Sequence, residues 1–363
     1  IFCVNGDYLA DISGVGILDA MMGETYDYDI YPVINAQNLV IADLPTFVSE
    51  NEEEMQKRYS QSAQAVYQEI VWPSLTSIAS RTGAKMTCMM TPQFTYTDEE
   101  EPDGENVTYY LKRLKEEHAE AGLSADSMEG IPLSEKIKQD QTFWQTYAPS
   151  YRFLSLYADG VKSIGEKSAL PAEIRTVALG SGASGQAVGY LNENVTLQPS
   201  TSSGIRHTFL DDFKVKCMET ALGYSNITLD FYSVTYPEGD EDSWEKMSKK
   251  IAANLGTYWK AYEAFDATTL TESDVRIRRF LALDYKQQRA GNVITLSLEH
   301  REDAAWFLLR LHGEKVTEVA GGIFEEIEDG VYLILAEEDE VSVEVQTGET
   351  WQYQDGGKRG DGT

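Results

Sequence analysis

The stretch SNITLDFYSV, Ser225 to Val234, puts apolar and β-branched residues in a short run and stops that run on an acid. It reads as a buried strand closed by Asp230. Residues 209–222 before it read as a helix, and two more helices are expected after it, from about 240 to 265 and from 273 to 288. A strand set between helices is the repeating unit of an α/β domain. The same alternation extends back along the chain. IFCVN (1–5), KMTCMMT (85–91), IRTVAL (174–179) and NVTLQ (194–198) read as strands. Helices are expected over 51–81, kinked at Pro73, and over 107–121 and 133–158. Residues 8–50 mix turns with the apolar pieces YPVIN and NLVIADL. Alternation over residues 1–290 predicts an incomplete, deformed (β/α) barrel.

After Gly291 the pattern changes. NVITLSLEH, AAWFLLRLH, GVYLILA and VSVEVQ are short β-type runs separated by turn residues. They predict a small C-terminal β-sandwich over 291–350, followed by a flexible Gly-rich tail over 351–363.

The 363-residue chain is 42% hydrophobic, enough to bury a sizeable core, and carries a net charge of −30. A surface of that sign repels phosphate backbones and anionic lipid, so no nucleic acid is expected as a partner. A cationic polymer, such as an amino sugar, is electrostatically permitted. Cys3, Cys88 and Cys217 offer neither a disulfide framework nor a zinc knuckle, and Cys3 and Cys88 are expected as buried small hydrophobes. No signal peptide or membrane-length apolar run is visible. The chain opens on a strand-like run without Met, which reads as an excised piece. The expectation is an extracellular or cell-surface protein, anchored through a segment upstream of Ile1.

In a barrel, catalytic side chains sit at the C-terminal ends of strands. Asp7 follows IFCVN and Gly6, and Asp230 follows NITL. Each reads either as a cleft carboxylate or as a turn residue at a strand end. Tyr232 and Trp244 lie close by and have faces that suit sugar rings, although Trp244 on a helix equally suits a core. His207, in GIRHTF, could line a cleft or simply start a helix. His118 lies in a charged helical run, and His300 and His312 fall in the β-module. GSGASG (180–185) lacks the lysine of a phosphate loop and reads as a turn.

Taken in order, VNGDY, YPVIN, AEAGLS, SNITLDFYSV with the following DSW, and TESDVRIRRFLALDYK resemble the polysaccharide deacetylase (NodB-type) superfamily. The closer resemblance is to the deacetylase-like domains of Pel-type exopolysaccharide biosynthesis proteins. The resemblance implies a deformed barrel that removes N-acetyl groups from an amino-sugar polymer. It also implies a divalent metal held by one Asp and two His, with a second Asp as base. Asp7 would stand for the acid of the first motif. The segment EEHAEAGLSADS, Glu116 to Ser127, keeps Glu120, Ala121 and Gly122 but has Leu123, Ser124, Asp126 and Ser127 where the metal histidines would fall. The expected catalytic residues are therefore Asp7 and Asp230, with Glu120, Ser124, His207, Tyr232 and Trp244 binding substrate. No metal ligands are assigned, because only Asp126 in that segment is an ordinary ligand. A divalent ion would need an all-oxygen site or His207. Three functions stay open: a deacetylase with an atypical site, a catalytically degenerate glycan-binding or assembly module, and a glycoside hydrolase using two carboxylates.

Overall fold

A computed structural model of the chain describes residues 3–9, 12, 14–97, 101–128, 131–160, 164, 170–180, 186–260 and 263–347. The chain divides into two compact units: Ile1–Met21 with Val33–Leu281, and Met22–Pro32 with Ala282–Thr363. The first strand, β1 (Tyr28–Val33), lies mostly in the second unit. The first unit then contains β2 (Ala36–Ala42), β3 (Met86–Met90), β4 (Glu120–Ser124), β5 (Ser155–Ala158), β6 (Thr176–Leu179), β7 (Gly189–Asn192), β8 (Val195–Pro199), β9 (Ser202–Ser203), β10 (Tyr224–Asp230) and β11 (Ala267–Thr268).

Nine of these form one sheet in the order β7-β8-β6-β5-β4-β3-β2-β10-β9, with β11 paired to β2. Only the β7–β8 pair is antiparallel. Strands β8 and β9 belong to one continuous segment. Its first half pairs with β6 and its second half with β10. The Ser200 N–H donates to the Leu179 carbonyl, and the Thr201 N–H to the Asn226 carbonyl. The sheet thus curls back on itself, and the mixed α/β unit fits a deformed barrel.

Strand alternation sorts the side chains. Leu39 and Ile41 on β2 face outward, into a core shared with Val66, Trp72, Tyr110 and Ile251 of the surrounding helices. Val40 and Ala42 face inward and meet Met89, Tyr157, Ala178 and Leu270. Toward the N-terminal ends of the strands the interior is polar, and several of its groups pair with one another. Asn38 donates to Gln198 Oε1 (3.0 Å) and Ser273 Oγ (3.2 Å), and Gln198 donates to Thr176 Oγ1 (2.8 Å). Helix Leu270–Ala282 closes this end, its Leu270 N–H donating to Thr87 Oγ1 (3.0 Å). Among the described residues no helix is long and apolar enough to cross a membrane.

Several sequence expectations are corrected. Residues 3–5 form no strand; Cys3 is exposed, and Asp7 falls in a short 3-10 helix, Gly6–Leu9, its side chain outside those described. IFCVN is apolar, but its described residues pair with no strand of the sheet. The strand that fills the expected place is β2, all seven of whose residues are buried. The long helix over 51–81 breaks at Ser60, which takes a left-handed conformation, and is distorted again into a π-helical turn, Tyr67–Val71, just before Pro73. Pro73 lies inside the helical stretch Ala63–Thr82, directly after the π-helical turn that accommodates its missing N–H. The helices expected to reach 121 and 158 end at Glu116 and Tyr147, and their last residues form β4 and β5. At Gly122 a Cβ would lie 2.4 Å from Met89 Sδ and 2.5 Å from Ser155 Oγ, so β4 fits closely between its neighbours there. The Gly-rich run 181–185 and the tail 351–363 lie outside the described residues.

The second unit starts at 282 rather than 291. It adds β12 (Asp284–Ala290), β13 (Val293–Glu299), β14 (Ala305–Leu311), β15 (Glu314–Ala320), β16 (Gly322–Glu328), β17 (Val331–Ala336) and β18 (Glu340–Thr347) to β1. Two four-stranded sheets result, ordered β1-β14-β17-β16 and β12-β13-β18-β15. Strand β12, DYKQQRA, has no apolar alternation and continues a helical run. Only its pairing with β13 makes it a strand. Ile30 of β1 packs in one core with Leu296, Phe307, Ile334 and Val343 from both sheets. Ile30 is 1% exposed. Ile30→Ala is expected to lower the unfolding free energy of this unit by about 2–5 kcal/mol, the usual range for a truncated core side chain. Urea-dependent amide hydrogen exchange over residues 282–347 of the full chain checks it; unchanged exchange there would show that β1 is not needed.

Candidate active site

Parallel strands deliver their C-terminal ends to one face, and four of them here end on an aspartate. Asp43 follows β2, Asp126 stands two residues beyond β4, Asp159 follows β5, and Asp230 closes β10. Register brings them together. Asp230 pairs with Ala42, the residue before Asp43, and Ser124 pairs with Tyr157. The four form a gradient of exposure, with Asp43 buried, Asp126 half-buried, and Asp159 and Asp230 open at the lip.

Hydrogen bonds fix the inner pair. Ser124 Oγ donates to Asp43 Oδ1 at 2.6 Å and accepts from the Asp126 N–H at 3.1 Å. The Asp159 N–H points at Asp126 Oδ1 at 3.4 Å. Burial pushes Asp43 well above the usual carboxylate range, and the charges of Asp126 and Asp230 push it further, against the Ser124 hydrogen bond and the Lys136 ammonium. Burial, together with Asp159 and Asp230, pushes Asp126 up to about 7, against the Asp159 N–H and Lys136. Asp230 is raised too. The cleft walls strip part of its water and Asp159 repels it, while the Tyr232 N–H (2.9 Å) and Arg206 favour its ionised form. The Tyr157 hydroxyl is driven upward by burial and by all four aspartates. A like-charged group can shed its repulsion only by keeping a proton, which is why one member of such a cluster titrates near neutrality.

Gly180, one residue beyond β6, lets these groups approach. A Cβ there would lie 2.6 Å from Asp159 Oδ1 and 2.7 Å from Tyr157 Oη. The rim beside Asp230 is aromatic. Tyr232 and Tyr236 stack with centroids 5.1 Å apart, and Phe94 meets both edge-on. Tyr67 Oη pins the short helix Tyr232–Thr235 by donating to the Phe231 carbonyl at 3.1 Å, with Thr235 Oγ1 2.8 Å away. The Glu50 carboxylate holds the facing loop by accepting from the N–H groups of Phe94 (3.0 Å) and Thr95 (2.7 Å).

Of the residues expected from sequence, Asp230, Ser124 and Tyr232 lie at this face. Glu120 lies at the opposite end of β4, where it accepts from the Thr271 N–H (2.9 Å), Thr271 Oγ1 (2.7 Å) and Ser155 Oγ (2.6 Å) and anchors the closing helix. Trp244 is buried in the outer core, edge-on to Phe231. His207 meets Ser202 Oγ through Nδ1 at 2.8 Å and stacks on Tyr258, with Asp211 and Asp212 as its charged neighbours. Burial lowers its pKa. Asp7 follows no strand, and Asp43 occupies the position expected for it. Sequence reasoning missed Asp43, Asp159 and Tyr157 and did not place Asp126 in the site. The signal was present as a repeated pattern, an apolar run followed within two residues by Asp: NLVIAD, GLSAD, SLYAD and NITLD.

The one-aspartate, two-histidine metal set implied by the sequence resemblance does not fit these residues. The donors that meet here are four aspartates, and His207 is held away by Ser202 and Tyr258. Among the described residues no three His, Cys, Asp or Glu side chains converge as ligands of one ion. A groove of about 610 Å³ lies outside β4 and β5, against helix Leu133–Tyr147, lined by Leu123, Ile137, Trp144 and Leu156. It is not the space enclosed by the aspartates.

No protein-family model matches the chain, and no curated protein sequence matches it. Among solved structures it is similar to one described as a polysaccharide deacetylase of Mycobacterium smegmatis, at 9% identity and a TM-score of 0.37, over 66% of this chain and 90% of that one. It is also similar to one described as a glycoside hydrolase/deacetylase of Parabacteroides distasonis, at 11% identity and a TM-score of 0.38, over 77% and 82% of the two chains. The α-fucosidase of Thermotoga maritima is 10% identical, with a TM-score of 0.33, over 85% and 95%. These likenesses are weak in shape as well as in sequence, and the chemistry of the site rests on its own residues.

Proposed function

We propose that the first unit is a carbohydrate hydrolase that cleaves glycosidic bonds with a pair of aspartates. The observation that carries this reading is Asp126, a half-buried carboxyl that keeps its proton to about 7 beside other carboxylates at the mouth of the barrel. Such a group can give a proton to a glycosidic oxygen as the C–O bond breaks. Asp230, more exposed and favoured in its ionised form by Arg206, supports the positive charge that develops at the anomeric carbon. Asp43 and Ser124 hold the Asp126 backbone in place, and the stacked Tyr232 and Tyr236 offer faces to pyranose rings.

The substrate in this reading is a polymer containing amino sugars. Asp159 and Asp230 are open at the mouth and the chain as a whole carries −30, so a protonated amine is favoured there over a phosphate or uronate. The remainder of the proposal follows the sequence resemblance: an extracellular, exopolysaccharide-associated protein with a deacetylase-type barrel and, later in the chain, a β-sandwich. Fractionation of the native host, with the chain in the cytosol, would remove the extracellular part.

The test is incubation of the full chain with partially N-acetylated chitosan. Reducing ends and free acetate are measured in parallel. New reducing ends without acetate are expected. Acetate without reducing ends would replace this reading by N-deacetylation, and neither product would replace it by glycan binding without catalysis. Where reducing ends appear, Gly180→Ala should cut the rate by at least about 10-fold, because the added methyl displaces Tyr157 Oη or Asp159. An unchanged rate would remove Tyr157 and Asp159 from the site.

A further inference from the structure

Lys136 is wholly buried, and each of its N–H groups has an acceptor. Its Nζ donates to Tyr96 Oη at 2.6 Å, Asp140 Oδ2 at 2.8 Å and Thr91 Oγ1 at 3.1 Å. Tyr96 Oη in turn donates to Asp140 Oδ1 at 2.8 Å. Three elements converge to make this arrangement. Helix Leu133–Tyr147 supplies Lys136 and Asp140 one turn apart, Thr91 follows β3, and Tyr96 comes from the loop that Glu50 holds.

A buried ion pair is a weak reason for stability. An apolar pair of similar volume does as well or better, since neither ion then loses its water. The position of this pair supplies another reason. Thr91 ends the strand between those of Asp43 and Asp126, and the field of the ammonium reaches both carboxyls.

We propose that Lys136 is a positioning residue of the aspartate cluster, a fixed buried cation that keeps the cluster partly ionised, with Asp140 setting how much of its charge is felt. Its consequence for catalysis rests on the hydrolase reading, but the electrostatic effect does not. Asp126 faces Asp159, Asp230, Asp43, Tyr157 and Lys136. Asp230 additionally faces Arg206, and Tyr96 faces Glu50. Lys136 is the cation shared by Asp43 and Asp126 among these groups.

The experiment is carboxyl-carbon NMR titration of Asp126 in the folded full chain, its signal assigned by loss in Asp126→Asn. Lys136→Met keeps an unbranched side chain, one atom shorter, and removes the charge, and should move the Asp126 midpoint up by about one pH unit or more. Asp140→Asn removes the compensating charge and should move it down. These opposite signs are what a merely structural role would not produce. An unmoved midpoint in Lys136→Met, or shifts of the same sign in both variants, would overturn the proposal. Should Lys136→Met fail to fold, Asp140→Asn decides the sign, and the double variant Lys136→Met with Asp140→Leu should fold and leave the midpoint between the two. Opposite shifts in a protein that cuts no carbohydrate would defeat the hydrolase reading and leave this inference standing.

Discussion

Asp126→Asn is expected to lower kcat on a carbohydrate substrate by about 10²–10⁴-fold, the usual contribution of a positioned general acid. An amide fills the same space but has no proton to give at neutral pH. The pH dependence should change with it. In the unmodified chain the protonated form of Asp126 is the active one, so the rate falls as pH rises through about 7. That alkaline limb should disappear from the residual activity of the variant. Folding should survive, since the substitution removes a charge that repels Asp43 and Asp230. Circular dichroism melting beside rate–pH profiles checks both parts. A variant of undiminished rate, or one that retains the limb, would take the acid role away from Asp126. The same experiment on Asp230→Asn should remove the acidic side of the profile instead.

Glu219→Gln is expected to stabilise the protein at alkaline pH and to leave it unchanged at acid pH. Glu219 lies on helix Phe209–Leu222, 1% exposed, and its Oε1 accepts from Gln37 Nε2 at 3.2 Å. Neither Glu219 Oε2 nor Gln37 Oε1 has a hydrogen-bond partner. Burial raises the carboxyl from the ordinary 4.5 to about 8. Between those values the folded chain holds a proton that the unfolded chain has released. Stability is therefore full below about 4.5, falls as pH rises, and levels off above about 8. Glutamine cannot ionise, and its amide can donate to the vacant Gln37 Oε1. The gain at pH 9 should be on the order of a few kcal/mol, from a shift worth about 1.4 kcal/mol per pH unit. Urea unfolding at pH 5 and pH 9 measures it, and equal midpoints for both proteins at pH 9 would contradict it. Asp43, Asp126, Asp230 and Asp29 are raised as well, so they contribute to the slope that remains in the variant.

Much of the architecture was legible in the residues. Alternation of apolar runs with amphipathic segments marked an α/β unit, and the loss of that alternation after Gly291 marked a second unit of strands alone. Local chemistry set several boundaries as well. Thr208 and Asp211 cap helix Phe209–Leu222, and Gly223 ends it in a left-handed conformation that glycine accepts without strain. Asp230 could be placed at a strand end because its run, NITLD, is apolar enough to be buried wherever it lies.

What only the tertiary structure decided was partnership. IFCVN and NLVIA are equally apolar, but NLVIA pairs with β3 and β10 and carries Asp43 into the site, whereas residues 3–5 pair with no strand of the sheet. Tyr28–Val33 becomes a strand of the second unit through pairing with β14, far along the chain, which no local period can report, whereas Asp284–Ala290 becomes one through a local hairpin with β13 that its own residues do not announce. The fate of Glu120 and Ser124 shows the same limit within a single strand. Both face the barrel interior, one at each end of β4. The residue at the N-terminal end anchors a helix and the residue at the C-terminal end bonds Asp43. Strand direction and closure set that difference, and both are properties of how distant segments pair rather than of any residue's own preference.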